Sequence, residues 1–200
     1  MKGVYNFVVT PVKSRYNNKK SVNGRELILN TEIFNHRQVS REAIVKSIPT
    51  VGDTDIQVGD TVIIHHNVFR KWHDQQGVER NSKSYFNENT YLVNSDQIFL
   101  YKNKSKWKPQ KGFCFVAPIK STNKLSLNKE QPLIGIVKYT DGTVKEGDLV
   151  GFTPNSEYEF IIEGKKLYRV YSKFITIKYE YQGNEEEYNP SWAESSGGVD

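Results

Sequence analysis

The chain has 200 residues, which is enough for one large domain or for two small ones. Its single cysteine excludes an intrachain disulfide and favours a reducing compartment, and no stretch approaches the roughly 20 apolar residues of a membrane-spanning helix. Aromatic residues make up 12% of the chain, which excludes a disordered polar polymer, and the 28 basic residues only slightly outnumber the 23 acidic ones.

Short runs of aromatic and β-branched residues, separated by turns, predict an all-β protein. No segment keeps the apolar spacing of an amphipathic helix over three turns. In chain order, the predicted strands cover residues 5–10, 61–64, 91–93, 98–101, 134–137, 149–152, 158–162 and 174–177.

Four sequence blocks recur in the same order in the two halves of the chain. Residues 7–14 pair with 114–121, 44–46 with 136–138, 58–62 with 146–150, and 91–98 with 168–175. The separation between paired blocks falls from 107 residues to 92, then to 88 and to 77. Because such repeats keep their strands and vary their connections, the pattern predicts two copies of one barrel-like unit, with shorter loops in the second copy.

These blocks divide the chain into four parts. We expect a first domain over residues 1–103 with a long loop at about 13–40, a linker over 104–111, and a second domain over 112–181. Residues 182–200 contain five acidic residues and no basic one, and their glycines and proline predict a mobile, disordered tail.

The first unit resembles the GroES family of co-chaperonins in the order of its features. A lysine follows the opening strand, a long polar loop carries an aliphatic triplet, a Val-Gly-Asp turn precedes a strand, and a polar turn precedes the closing strand. The residues that carry the resemblance are Thr10-Pro11-Val12-Lys13, Gly24, Leu27-Ile28-Leu29, Ala43-Ile44-Val45, Val58-Gly59-Asp60 and Asp96-Gln97-Ile98. The tandem arrangement with short loops is similar to the divergent co-chaperonins of bacteriophages.

The resemblance implies a function without enzymatic activity. It implies tandem GroES-like β-barrels that assemble into a ring, need no cofactor and cap an ATP-driven, GroEL-like chaperonin in the cytoplasm, or in the host cytoplasm if the source is viral. The triplet Leu27, Ile28 and Leu29 is then the chaperonin-binding element. Leu125 and Leu127 stand in the shorter loop of the second unit and are a possible second contact.

The same resemblance predicts how subunits meet. We expect residues 98–101 to pair with residues 113–116 within the chain, which would leave the first and last strands as free edges. Tyr5, Phe7 and Val9 on one strand, and Ile175 and Ile177 on the other, are therefore predicted to lie at interfaces of a homo-oligomer.

Two other classes of function stay open at this point. The repeats fit a β-barrel interaction or structural protein that does not bind chaperonins. Outside the tail, 28 basic and 18 acidic residues leave a net charge of +10, which would also suit a nucleic-acid-binding β protein. We favour the interpretation of the net charge as a solvated, lysine-rich surface over its interpretation as a nucleic-acid-binding surface. For the aromatic and basic residues at 69–86, we favour a long hairpin over a nucleic-acid-binding surface.

Catalytic and metal chemistry find little support in the sequence. His65 and His66 are adjacent, which on a strand would direct them to opposite faces, and no second pair with metal-ligand spacing accompanies them. Cys114 precedes Phe115 in a predicted strand, so we expect a small core residue rather than a nucleophile. We therefore predict no enzyme activity, no metal site and no membrane partner.

Overall fold

The computed structural model describes residues 2–16, 19–22, 25–28, 38–103, 106–123 and 129–196. The protein is all-β, as predicted, and its strand ladders are antiparallel. The chain divides into two compact units, residues 1–107 and 108–200, and each unit has its own large sheet. The division falls inside the segment expected to be a linker, and part of that segment is a strand.

Unit one contains a seven-stranded sheet and two small hairpins. The sheet has the order β11-β10-β5-β4-β1-β9-β8, and the hairpins are β2-β3 and β6-β7. The bounds are β1 (Phe7–Pro11), β2 (Lys19–Val22), β3 (Arg25–Ile28), β4 (Glu42–Ser47), β5 (Thr61–Ile64), β6 (Lys71–His73), β7 (Glu79–Asn81), β8 (Tyr85–Asn87), β9 (Thr90–Val93), β10 (Ile98–Asn103) and β11 (Lys106–Pro109).

Unit two contains a six-stranded sheet and a short helix. The sheet has the order β15-β16-β12-β13-β14-β17. The bounds are β12 (Phe113–Lys120), β13 (Glu130–Tyr139), β14 (Leu149–Phe152), β15 (Tyr158–Ile162), β16 (Lys165–Tyr171), β17 (Ile175–Tyr179) and α1 (Ser191–Ser196).

The two sheets have the same topology. The order β10-β5-β4-β1-β9-β8 in unit one corresponds strand by strand to β17-β14-β13-β12-β16-β15 in unit two, and β11 is an additional edge strand. The registers also agree, because Val9 pairs with Val45 and Val116 pairs with Val137, after the same irregularity in each ladder. The paired residues have the separations of 107 and 92 positions seen in the sequence, so the structure confirms the internal repeat.

A Gly-Asp turn, within Val58-Gly59-Asp60 in unit one and Glu146-Gly147-Asp148 in unit two, is another feature that both units share. Oδ2 of Asp60 accepts a hydrogen bond of 2.8 Å from the backbone N–H of Gln57, and Oδ2 of Asp148 accepts one of 3.0 Å from Lys145. The glycines before these aspartates have φ of 94° and 88°, a left-handed conformation that glycine adopts without strain. Each turn thereby fixes the start of the strand that follows it.

Each unit has a hydrophobic core made by the inward-facing residues of its strands. In unit one, the fully buried members include Phe7, Val9, Tyr91 and Ile98. In unit two, a core cluster contains Val116, Val137, Val150 and Val170. Burial of a valine or larger apolar side chain contributes about 1.5–3 kcal/mol, so these residues provide the main stabilisation of each sheet.

Of the two strands predicted to lie at sheet edges, β17 lies at an edge and β1 does not. β1 lies between β4 and β9, and Phe7 and Val9 are buried in the unit-one core, so the expectation that this strand is free for a neighbouring subunit is wrong. Tyr5 precedes β1 and is 71% exposed. β17 is an edge strand, and its Ile177 is half exposed while Ile175 is partly buried.

The predicted pairing between residues 98–101 and 113–116 is also wrong. β10 is hydrogen-bonded to β5 and β11, and β12 is hydrogen-bonded to β13 and β16. Each of these strands therefore satisfies its backbone groups with neighbours from its own sheet. The intervening β11 contains Trp107, which is only 6% exposed and stabilises the edge of the unit-one sheet by burial.

Residues 187–193, in the segment predicted to be a mobile tail, contact the rest of unit two. Glu187 forms an isolated antiparallel bridge with Ile119, and the N–H of Tyr188 donates to the carbonyl of Pro118 at 2.8 Å. Ala193 on α1 is fully buried. No helix in the described part of the chain is long and apolar enough to cross a membrane.

We predict that docking of α1 stabilises unit two. Ala193→Glu places a charge at a fully buried position and should lower the free energy of unfolding by about 2–4 kcal/mol. Ser191→Glu adds the same charge at an exposed position of the same helix and should change stability by less than about 0.5 kcal/mol. Thermal denaturation of both variants measures the difference, and equal melting temperatures would show that α1 does not dock.

Candidate partner-binding loop

The long connection between β1 and β4 contains the predicted chaperonin-binding residues. Part of it forms the hairpin β2-β3, in which Lys20 is opposite Leu27. Leu27 is 51% exposed, which is high for a leucine in a folded unit. The side chain of Ile28, and Leu29, Leu125 and Leu127, lie outside the described residues.

The two ends of this connection are held together by the backbone. Tyr16 and Val39 form an isolated antiparallel bridge, and the N–H of Ser40 donates to the carbonyl of Arg15 at 2.9 Å. Val39 is 2% exposed and belongs to the unit-one core. The base of the loop is therefore part of the folded unit.

Arg15 ties this base to the rest of unit one. Its Nε donates to the carbonyl of Phe69 at 3.1 Å, and its Nη1 donates to Oδ1 of Asn81 at 2.8 Å. The guanidinium lies 5.4 Å from the ring centre of Tyr91 and 5.6 Å from that of Tyr85, within the range of cation–π attraction. Burial raises the pKa of Tyr91, although the charge of Arg15 opposes this shift.

The expanded segment at residues 69–86 supplies the other side of the loop base. It forms the predicted hairpin, β6-β7, and the N–H of Lys71 donates to the hydroxyl of Tyr16 at 2.7 Å. Phe69 is fully buried, whereas Trp72 and Phe86 are 46% and 53% exposed. The sequence indicated this hairpin but not its role, because nothing local to Arg15 shows that it reaches Phe69 and Asn81.

The corresponding connection in unit two is shorter and closes differently. The N–H of Ser121 donates to the carbonyl of Lys129 at 2.9 Å. Next to it, the carboxylate of Glu130 accepts hydrogen bonds of 2.6 Å from both Lys166 and the hydroxyl of Tyr168. Burial and the bond to Glu130 raise the pKa of Tyr168 to about 12. Burial opposes ionisation of Lys166, but its bond to Glu130 prevails and raises the pKa of the ammonium.

The histidine pair belongs to unit one and the cysteine belongs to unit two. His65 and His66 stand at a turn rather than on a strand, and their rings stack at 4.3 Å. Cys114 is buried, with its Sγ 3.3 Å from the hydroxyl of Ser172. Within the described ranges, no group of three or more histidine, cysteine, aspartate or glutamate residues is arranged to hold a metal ion.

No protein-family model matches this chain, and a search of curated proteins finds no match.

We predict that Arg15 holds the loop base in place. Arg15→Lys keeps the charge but cannot make both hydrogen bonds in the same plane, so it should cost about 1–3 kcal/mol of stability. The N–H of Ser40, which is bonded to the Arg15 carbonyl, should exchange faster with deuterium.

A double-mutant cycle with Asn81→Ala provides the control. If Arg15 acts through Asn81, Asn81→Ala should add little to the loss of stability caused by Arg15→Lys. Strictly additive effects and unchanged exchange at Ser40 would contradict this role.

Proposed function

We propose that the protein is a co-chaperonin that caps an ATP-driven chaperonin to assist protein folding. The observation that carries the proposal is the exposed Leu27 on a hairpin that belongs to neither large sheet, above a base fixed by Arg15 and Tyr16. An aliphatic side chain left in water at such a place is available to an apolar groove on a partner. The resemblance of the sequence to the GroES family identifies the partner class.

The energetics of the loop suit reversible capping. Ordering a loop on binding costs conformational entropy, so a single aliphatic triplet gives only weak attachment. Several copies of the chain in one assembly would multiply these contacts, and the whole cap would still release when the chaperonin changes state. The loop needs no catalytic group or cofactor for this role.

We predict that replacing Leu27, Ile28 and Leu29 by serine abolishes capture by a chaperonin. Co-sedimentation with a GroEL-like ring, with and without ATP, measures this directly. The wild-type protein should sediment with the ring only in the presence of nucleotide. The triple variant should lose all detectable binding, because each substitution removes several buried methylenes at about 0.8 kcal/mol apiece and a tenfold change in affinity corresponds to only about 1.4 kcal/mol.

The matched control replaces three other exposed aliphatic residues of unit one, Val51, Val58 and Val78, by serine. This variant should still be captured. The melting temperatures of both variants should stay close to that of the wild-type protein. Capture that persists in the triplet variant, or none in the wild-type protein, would contradict the proposal and favour a β-barrel interaction or structural protein.

The proposal includes self-assembly through β17. Among the described residues, one edge of this strand pairs with no other strand, and its Ile177 and Tyr179 are 50% and 37% exposed. An apolar edge of this kind pairs readily with another chain. β17 is therefore our candidate for the subunit contact, in place of the buried β1.

We predict that Ile177→Lys weakens this assembly, because a charge on an edge strand opposes pairing. Light scattering should give a mass of several chains of 23.1 kDa for the wild-type protein and a lower mass for the variant. Val58→Lys adds the same charge at a turn that is 61% exposed and should leave the mass unchanged. A wild-type mass of one chain at micromolar concentration would rule out the assembly.

A further inference from the structure

Unit two contains a cavity that the proposed function does not use. It lies between the start of β13, Tyr168 on β16 and the C-terminal segment, and its volume is about 760 Å³. Cavities of this size hold small molecules or single side chains of a partner. Four of the residues that line it are aromatic: Phe152, Tyr168, Tyr188 and Trp192.

The cavity also contains two carboxylates in different situations. Both oxygens of Glu130 are satisfied, by Lys166 and by Tyr168. Oε2 of Glu157 is buried and accepts no hydrogen bond from the described residues. A buried acceptor without a donor costs free energy, and a carboxylate costs more than a neutral group. Glu157 lines the cavity, so a rotation of its side chain toward the cavity would let Oε2 accept a hydrogen bond from a ligand.

Comparison with unit one shows which residue Glu157 replaces. After β5, the N–H of His65 donates to Gln97 and the N–H of Val68 donates to His65. After β14, the same two backbone bonds run from Thr153 to Phe174 and from Ser156 to Thr153. Phe69 directly follows Val68, and Glu157 directly follows Ser156. These two positions therefore correspond.

The tyrosine of the cavity also has a counterpart. Tyr91 pairs with Val9 in unit one, and Tyr168 pairs with Val116 in unit two. In unit one, the Phe69 ring packs 4.6 Å from the ring centre of Tyr91 and fills this place. In unit two, the residue that corresponds to Phe69 is Glu157, and both Glu157 and Tyr168 line the cavity.

In unit one, the guanidinium of Arg15 lies over the Tyr91 ring, whereas the cavity of unit two is lined by Lys129 and lies beside the paired Lys166. Arg15 stands four residues after Pro11, and Thr122 stands four residues after Pro118, so the guanidinium has no counterpart at that position. Lys166 lies 4.9 Å from the Tyr168 ring, but its hydrogen bonds and ion pairs run to Glu130 and Glu159. No such bond joins Lys166 to Oε2 of Glu157.

We propose that the cavity of unit two binds the guanidinium group of an arginine side chain on a partner peptide or protein. Oε2 of Glu157 accepts the charged hydrogen bond, and the rings of Tyr188 and Trp192 cover the flat faces of the guanidinium. A planar cation suits such a site because it stacks on aromatic rings while it donates in its own plane. This inference does not depend on binding to a chaperonin.

The test uses the full chain and two probes of the same shape, N-acetyl-arginine amide and its neutral analogue N-acetyl-citrulline amide. Calorimetry should show about tenfold tighter binding of the arginine probe, the difference expected for a charge-assisted hydrogen bond. Glu157→Gln should remove this preference. Glu180→Gln changes the net charge equally at an exposed site and should keep it.

A second measurement does not require any variant to fold. In NMR spectra of the wild-type protein, the arginine probe should shift the indole N–H of Trp192 and the amide of Tyr188, and the citrulline probe should shift them much less at the same concentration. Equal affinity for the two probes, no binding of the arginine probe, or shifts confined to residues outside the cavity would overturn the proposal.

Discussion

Hydrogen bonding of one strand on both of its edges is the constraint on which each unit depends. β1 lies between β4 and β9, and β12 lies between β13 and β16. Val9 and Val116 occupy equivalent positions on these strands, and both are fully buried. A slip by one residue would turn such side chains out of the core, so burial fixes the register of the central strand. The outer strands then take their registers from it, and this explains why the two ladders agree residue by residue.

A framework fixed in this way allows the positions beyond the strand ends to diverge. Phe69 and Glu157 follow equivalent turns, yet one closes the core of unit one and the other borders a cavity. Neither residue takes part in the ladder, so the exchange leaves strand pairing intact. Unit one uses its long connection and the β6-β7 hairpin to cover this face, whereas unit two covers part of it with the C-terminal segment. The duplicated sheets can therefore carry different binding surfaces.

The sequence predicted the all-β class and an internal repeat, because short apolar and β-branched runs recur in the same order in both halves. It could not identify the edges of the sheets. The apolar run at residues 5–10 predicts an edge strand, but the structure places β1 between two neighbours, and Phe7 and Val9 are buried. Alternation of residue types shows that a strand exists, and only the long-range pairing shows where it lies.

The sequence did not predict the contacts made by the C-terminal segment or by the loop base, and the reason is related. Glu186 and Glu187 look like a solvated acidic run, yet they pair with Lys120 and Lys138, which are distant in sequence. In the same way, Arg15 reaches Phe69 and Asn81 only after the sheet has formed. Local composition contains no signal for such contacts. The sequence did not indicate the cavity, because Glu157 lies outside the four recurring blocks.

The position of the C-terminal segment has a consequence for the order in which the protein matures during translation. Domains of a growing chain fold from the amino-terminal end as they emerge from the ribosome. Unit one has all of its sheet strands in residues 7–109, so it can complete its core early. The part of the unit-two cavity lining formed by residues 188–192 is synthesised after Glu130, which also lines the cavity. The unit-one loop is thus available to a partner on the nascent chain before the cavity of unit two exists.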